Sequence, residues 1–181
     1  LPLDVGVIVM NVTSISFIAQ YIKTGIPLIK RRLTVDGDAV YNQANVEVAL
    51  GTSIRELLEF CGTPVDSVKK VLMGGPMMGV TQYTLDTPVL KQNNAILAFK
   101  EITTAKPQPC IRCSKCVMSC PMSLMPFELN KLISIEDREG LIKANVLNCI
   151  ECGSCAYSCP AKIDLVHSIK LAKDFIRMKK I

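Results

Sequence analysis

The chain has 181 residues, 49% of them apolar and 20% charged, with a formal charge of +5, nine cysteines and no tryptophan. That apolar content fills one or two packed domains and excludes a disordered tail. The modest positive charge, with no basic face interleaved with aromatics, argues against a nucleic-acid partner.

Val5 to Met10 is short, apolar and β-branched, which predicts a buried strand. Asn11 to Ser14 then offers several helix N-caps. Ile15, Ile18, Ala19 and Ile22 recur at helical spacing, Gly25 suits the C-cap, and Pro27 stops any continuation. Val5 to Ile22 carries no charge, which raises the question of a membrane span. Its Asn11, Thr13, Ser14, Ser16 and Gln20 favour a buried strand followed by a helix instead. The chain opens on Leu1, not Met, and is read as a piece of a longer protein, with residues 1–28 the remnant of an upstream domain.

Lys30, Arg31 and Arg32 suit a solvated strand end, and Leu33 to Val35 a strand that stops at the turn residues Asp36-Gly37-Asp38. Val46 to Leu50 alternates with period two and predicts a half-buried strand. Ser53-Ile54-Arg55-Glu56 has the S-x-x-E pattern of a capping box. The helix it starts runs through Leu57, Leu58 and Phe60 to the break at Gly62-Thr63-Pro64. Val68 to Met73 predicts another strand, and Val89-Leu90 and Ala95 to Phe99 the last ones. Gly74 to Gly79 lacks the endings of phosphate loops and reads as a turn needing positive φ, with Met77 and Met78 as an adaptable contact surface. Cys61 reads as a small buried apolar residue. The order strand, strand, helix, strand, strand predicts an α+β unit of β-grasp type over residues 29–102. Residues 103–109, with Pro107 and Pro109, read as a linker.

Residues 110–181 hold the chemistry. Cys110, Cys113, Cys116 and Cys120 are followed by Pro121; Cys149, Cys152, Cys155 and Cys159 repeat the spacing 39 residues on and are followed by Pro160. This is the C-x2-C-x2-C-x3-C-P run of bacterial ferredoxins, in which three thiolates wrap one cubane cluster and the fourth reaches the other. The expected ligand sets are therefore Cys110, Cys113, Cys116 and Cys159 for one [4Fe–4S] cluster, and Cys149, Cys152, Cys155 and Cys120 for a second. Each thiolate-ligated cluster carries about −2, so two bring the chain to roughly +1, which accounts for the surplus of cations.

A disulfide scaffold is disfavoured by the tight spacing, and the absence of a signal-peptide pattern suggests a reducing, cytosolic compartment. Structural zinc is disfavoured because the cysteines do not form paired CxxC knuckles and the only histidine is His167, expected on a helix surface. Pro121 and Pro160 are expected in the first turn of helices that follow each fourth cysteine. Ile111 and Ile150 are expected to shield the clusters. Phe127, Leu129, Leu132 and Ile133 predict one helix, Asp137 to Val146 a second, and Asp164 caps a third with Leu165, Ile169, Ala172 and Ile176 on one face.

Val9-Met10-Asn11-Val12-Thr13, Gly37-Asp38-Ala39-Val40, Gly51-Thr52, Gly74 to Gly79 and both cysteine runs together resemble the C subunit of the Rnf electron transport complex, over essentially the whole chain. The resemblance implies a soluble-ligand-binding β-grasp domain followed by an α-helical two-cluster ferredoxin domain. It implies oxidoreduction between ferredoxin and NAD coupled to ion movement, with FMN and NADH bound by the full-length protein, whose flavin domain lies mainly upstream. Its implied partners are other subunits of a membrane-bound complex and ferredoxin-type carriers, and its implied place is peripheral, on the cytoplasmic face of the cell membrane. Asn11 and Thr13 match a segment that touches flavin in related subunits, although simple N-capping explains them as well. Similar arrangements occur in cobalamin reductases of propanediol-using microcompartments, and a ligand-binding or scaffold module is the alternative outside redox chemistry.

Overall fold

The computed structural model describes residues 2–102 and 105–178, which fall into two compact units split after Ile102. The first contains α1 (Val12–Thr24), β1 (Lys30–Asp36), β2 (Ala44–Ala49), α2 (Ile54–Phe60), β3 (Lys70–Met73), β4 (Val80–Gln82) and β5 (Ala95–Phe99). The strands make one mixed sheet in the order β2-β1-β5-β3-β4. β1 runs parallel to β5, and the other pairs are antiparallel.

Alternation along the central strands sends one set of side chains inward. Leu33 and Val35 of β1 and Ile96 and Ala98 of β5 share an apolar cluster with Val71 and with Ile54, Leu57 and Leu58 of α2. A helix as short as α2 has little stability of its own. It is held by this burial and by the capping box, in which the Ser53 N–H donates to Glu56 Oε2 at 2.8 Å and the Glu56 N–H to Ser53 Oγ at 3.2 Å. The outer face of β1 is solvated as its charges require, with Arg32 paired to Glu47 across the ladder. Cys61 is buried in this core, and burial pushes its thiol up.

Gly37 links the sheet's turns. It has φ +120°, and a Cβ placed there would collide with the Ala98 backbone, whose carbonyl accepts from the Ala39 N–H at 3.2 Å. Gly74 has positive φ as expected, and a Cβ on Gly79 would stand 2.6 Å from the Gly75 carbonyl.

Several expectations do not hold. Val5 to Met10 is not a buried strand: Pro2–Val5 is a 3-10 turn, and the residues up to Asn11 pair with no strand among the described residues and are exposed. A strand needs a ladder partner as well as β-branched residues, and none of the described residues supplies one here. Val89-Leu90 is not a strand either. Val89 is buried, but its backbone bonds go to the loop at Gly51 and Thr52. The fourth strand is instead Val80–Gln82, which is too short and too exposed to show periodicity. No helix among the described residues is long and apolar enough to cross a membrane.

The second unit is helical: α3 (Lys115–Met118), α4 (Pro126–Ser134), α5 (Arg138–Lys143), α6 (Ser154–Tyr157) and α7 (Leu165–Arg177). It is a tandem repeat in structure as well as in sequence. α3 and α6 occupy the same place after the second cysteine of each run, and α4 and α7 both begin six residues after the fourth. Leu124, Leu129, Leu141, Val146, Ile169 and Ala172 form the main core between them. Asp164 caps α7 through the His167 N–H, and the His167 side chain is exposed. Arg138 donates to the Phe175 carbonyl at 2.9 Å and the Ile176 carbonyl at 2.6 Å, so α5 supplies a cation to the end of α7. Pro121 and Pro160 are not in a helix. The helical turns precede the fourth cysteines, and the prolines sit in the turns after them, while Pro126 takes the first position of α4. Residues 103 and 104 of the expected linker lie outside the described residues; Ala105 to Pro109 has no regular structure.

Gly37→Ala should lower the stability of the sheet unit by about 2–4 kcal/mol, from positive φ and backbone overlap together, as read by denaturant unfolding. Arg138→Ala should cost about 1–2 kcal/mol through the freed carbonyls of α7, with faster amide exchange at that helix end.

Candidate iron–sulfur centre

Each cysteine run is a loop pinched by left-handed residues, then one helical turn. In the first run Arg112 and Ser114 have φ of 54° and 60°; in the second, Glu151 and Gly153 have φ of 57° and 86°. Ser123 and Lys162, after the fourth cysteines, match in the same way at 53° and 54°. Left-handed backbone is unfavourable for residues other than glycine. Its recurrence at corresponding places shows that the spacing, not the intervening side chains, dictates the path. The pinch turns successive cysteines toward one side.

The cysteines gather around two cavities. Cys110, Cys113, Cys116 and Cys159 line one, together with Phe127, Pro160 and Leu165. Cys120, Cys149, Cys152 and Cys155 line the other, with Pro121, Leu124 and Ile169. Each fourth cysteine thus lies with the first three of the opposite run. The thiols' mutual electrostatics have the same pattern. Burial pushes Cys155 up to about 11; the Ala156 N–H opposes this, and neighbouring Cys149, Cys152 and Cys120 add to it. Cys149 is also raised, by burial first and in small part by Cys120. Cys116 is raised by burial, with a contribution from Cys110. Cys152 alone is lowered, by the Ser154 hydroxyl and N–H.

Backbone donors point at several sulfurs. The Glu151 N–H donates to Cys149 Sγ at 3.3 Å and the Leu124 N–H to Cys120 Sγ at 3.4 Å. The Phe127 N–H, in the open first turn of α4, favours the thiolate form of Cys116. Such donors suit anionic sulfur ligands. Among the described residues, no three His, Cys, Asp or Glu side chains are gathered closely enough to hold a metal ion. A cube of iron and sulfide holds four thiolates on separate corners. Eight cysteines ringing two small cavities fit the cluster.

Two features carry no signal in a single pass along the sequence. The Ser119 and Ser158 hydroxyls hydrogen-bond to each other at 2.9 Å, one of them donating, and each also lies 3.3 Å from the carbonyl of its own run's third cysteine, to which the other is free to donate. Only an alignment of the two repeats pairs them. Lys173 of α7 is buried, and its ammonium donates to the Cys149 carbonyl and to Glu151 Oε1, both at 2.6 Å. Ile111 and Ile150 line the cavities as expected but remain 68% and 52% exposed, so they are rims and not lids. Asn11 and Thr13 lie in the other unit, where Asn11 Oδ1 accepts from the Thr13 N–H at 2.9 Å and from its hydroxyl. Both side chains are engaged in capping α1.

Residues 103–160 match the family described as 4Fe-4S dicluster domain, and residues 32–81 match the SLBB domain. The chain is 44% identical over 175 residues to the C subunit of an ion-translocating oxidoreductase complex of Rhodobacter capsulatus; the match covers 96% of this chain and 34% of that protein. It is equally identical, over 96% of its length, to the C subunit of the Na(+)-translocating ferredoxin:NAD(+) oxidoreductase complex of Acetobacterium woodii, of which it spans 40%. The Pseudomonas aeruginosa counterpart is 41% identical over 98% of this chain and 23% of its own length. The chain therefore spans between about a quarter and two fifths of these relatives. With its paired cysteine runs inside the dicluster match and its sheet overlapping the SLBB match, the chain belongs to the family of C subunits of the Rnf-type ion-translocating oxidoreductase complexes.

Proposed function

We propose that the chain is the electron-relay portion of a ferredoxin:NAD oxidoreductase, holding two [4Fe–4S] clusters between an NADH–flavin site and membrane-bound partner subunits. The observation that carries this is the exchange of fourth cysteines between the two cavities. It suits two clusters side by side, each held by four thiolates. The proposed ligands are Cys110, Cys113, Cys116 and Cys159 for one cluster, and Cys149, Cys152, Cys155 and Cys120 for the other. Each cluster, when bound, takes up and releases one electron. The protein's own work is to hold thiolates, direct N–H groups at sulfur and keep water from one side. Leu165, with Ala161 and Ile163, packs against Cys116, Cys155 and Cys159 at the junction. The Ser119–Ser158 bond sits at the same junction and ties the two runs together.

The first unit is proposed to be a β-grasp. The strand order β2-β1-β5-β3-β4, with β1 parallel to β5 and one helix in the same core, supports that reading. The relatives' names supply ferredoxin and NAD as the proposed redox partners and ion movement as the coupled process. Peripheral attachment at the cytoplasmic face follows from that assignment. Flavin contact at Asn11 and Thr13 would use the Asn11 amide donors and the Thr13 hydroxyl lone pairs, which the capping bonds leave available.

Anaerobic reconstitution should give about eight irons per chain and, on reduction, an EPR spectrum with coupling between two clusters. Stoichiometric zinc without iron would end the proposal. Cys120→Ser should perturb the cluster of Cys149, Cys152 and Cys155, and Cys159→Ser the other; the opposite pattern would refute the exchange.

Ligation requires thiolates, so loading releases protons. Burial holds Cys155, Cys149 and Cys116 above the usual thiol value, so these protons are bound before iron arrives. Iron uptake should therefore fall as pH falls and rise as pH is raised, measured as iron retained after anaerobic equilibration. Uptake independent of pH would contradict this ligand set.

A further inference from the structure

Lys173 is the only charged residue among the buried ones described, at 6% exposure. It follows Ala172 on the inward face of α7, and its two acceptors both belong to the second cysteine loop. Glu151 stands in left-handed backbone between Cys149 and Cys152. Its other oxygen lies 4.0 Å from Lys170 Nζ. Two cations thus face one carboxylate, which leaves net positive charge behind this loop.

The first loop is built differently. At the corresponding repeat positions, Arg112 replaces Glu151 and Lys131 replaces Lys170, both exposed and screened by solvent, and an exposed Ser134 replaces the buried Lys173. A buried cation is costly to keep where an apolar side chain would pack, so packing alone does not call for it. A thiolate-ligated cluster is negative and gains one more negative charge on reduction. A fixed cation in a medium of low dielectric favours the more negative state.

We propose that Lys173 is a positioning residue of the second cluster: it clasps the Cys149–Cys152 loop and, through its buried charge, makes that cluster easier to reduce than the one held by Cys110, Cys113 and Cys116. This rests on the two-cluster reading above. It gives the relay a polarity, with the resting place of an added electron at the cluster of Cys149, Cys152 and Cys155.

The test is an anaerobic redox titration of the reconstituted chain, followed by EPR. Lys173→Met should shift the reduction equilibrium of one cluster about tenfold toward the oxidised form, equivalent to about 59 mV for one electron. That cluster should be the one perturbed by Cys120→Ser. Glu151→Gln, which leaves Lys173 in place, should shift the same cluster in the opposite direction, and Lys173→Arg should restore the original value. Where Lys173→Met fails to load its second cluster, Glu151→Gln decides by the sign of its shift. Equal shifts in both clusters, no shift, or shifts of the same sign in Lys173→Met and Glu151→Gln would overturn the assignment of Lys173. Failure of the unaltered chain to bind two clusters would instead remove the functional reading beneath it.

Discussion

Cys120 and Cys159 each leave their own run and join the other. The arrangement of the helical unit follows from that exchange. For a fourth cysteine to cross, the two loops must lie against each other, and the short helices α3 and α6 do so, fastened by the Ser119 and Ser158 hydroxyls. The turns that follow, with Pro121 and Pro160, then carry the chain away to α4 and α7, which pack together. The apolar cluster of Leu129, Leu141, Val146 and Ile169 fills the space this leaves. A unit of about 80 residues has a marginal core. Eight bonds from cysteine to two clusters would supply the missing cohesion, as metal sites do in other small domains.

Charge follows the same division. Thiolates and clusters bring negative charge, and the fold answers with N–H groups at Cys149, Cys120 and Cys116 and with a buried ammonium behind one loop. The repeat is symmetric in backbone, down to its left-handed residues, but not in charge. Arg112 and Glu151 share a conformation and carry opposite signs. The sheet unit is held together differently. Its core is apolar and continuous, and its helix α2 relies on burial in that core and on a capping box. α1 buries none of its residues, so its helicity rests on Asn11, Gly25 and its own sequence.

Much of this is legible in the residues because the signals are local. The cysteine spacing names the candidate ligands, Ser53 and Glu56 name a helix start, and the alternation of Val46 to Leu50 names a strand. The departures also have physical causes. Val5 to Met10 has strand composition, but a strand exists only with a neighbour. Val80–Gln82 has one, β3, and is a strand with little composition to announce it. The prolines after the fourth cysteines suit the first turn of a helix by their fixed φ; the chain uses that same φ in a turn instead.

The residues alone name the candidates: eight cysteines in two runs of one spacing, a two-part chain, and the elements whose periodicity or caps lie within a few residues. Which groups meet across the repeat is a matter for the folded chain. Ser119 against Ser158, Lys173 against Cys149 and Glu151, and the sheet order that places β5 between β1 and β3 all join residues far apart in sequence. Local propensity ends at the next turn, and contact between distant segments is settled by how their buried faces and charged groups fit together in space.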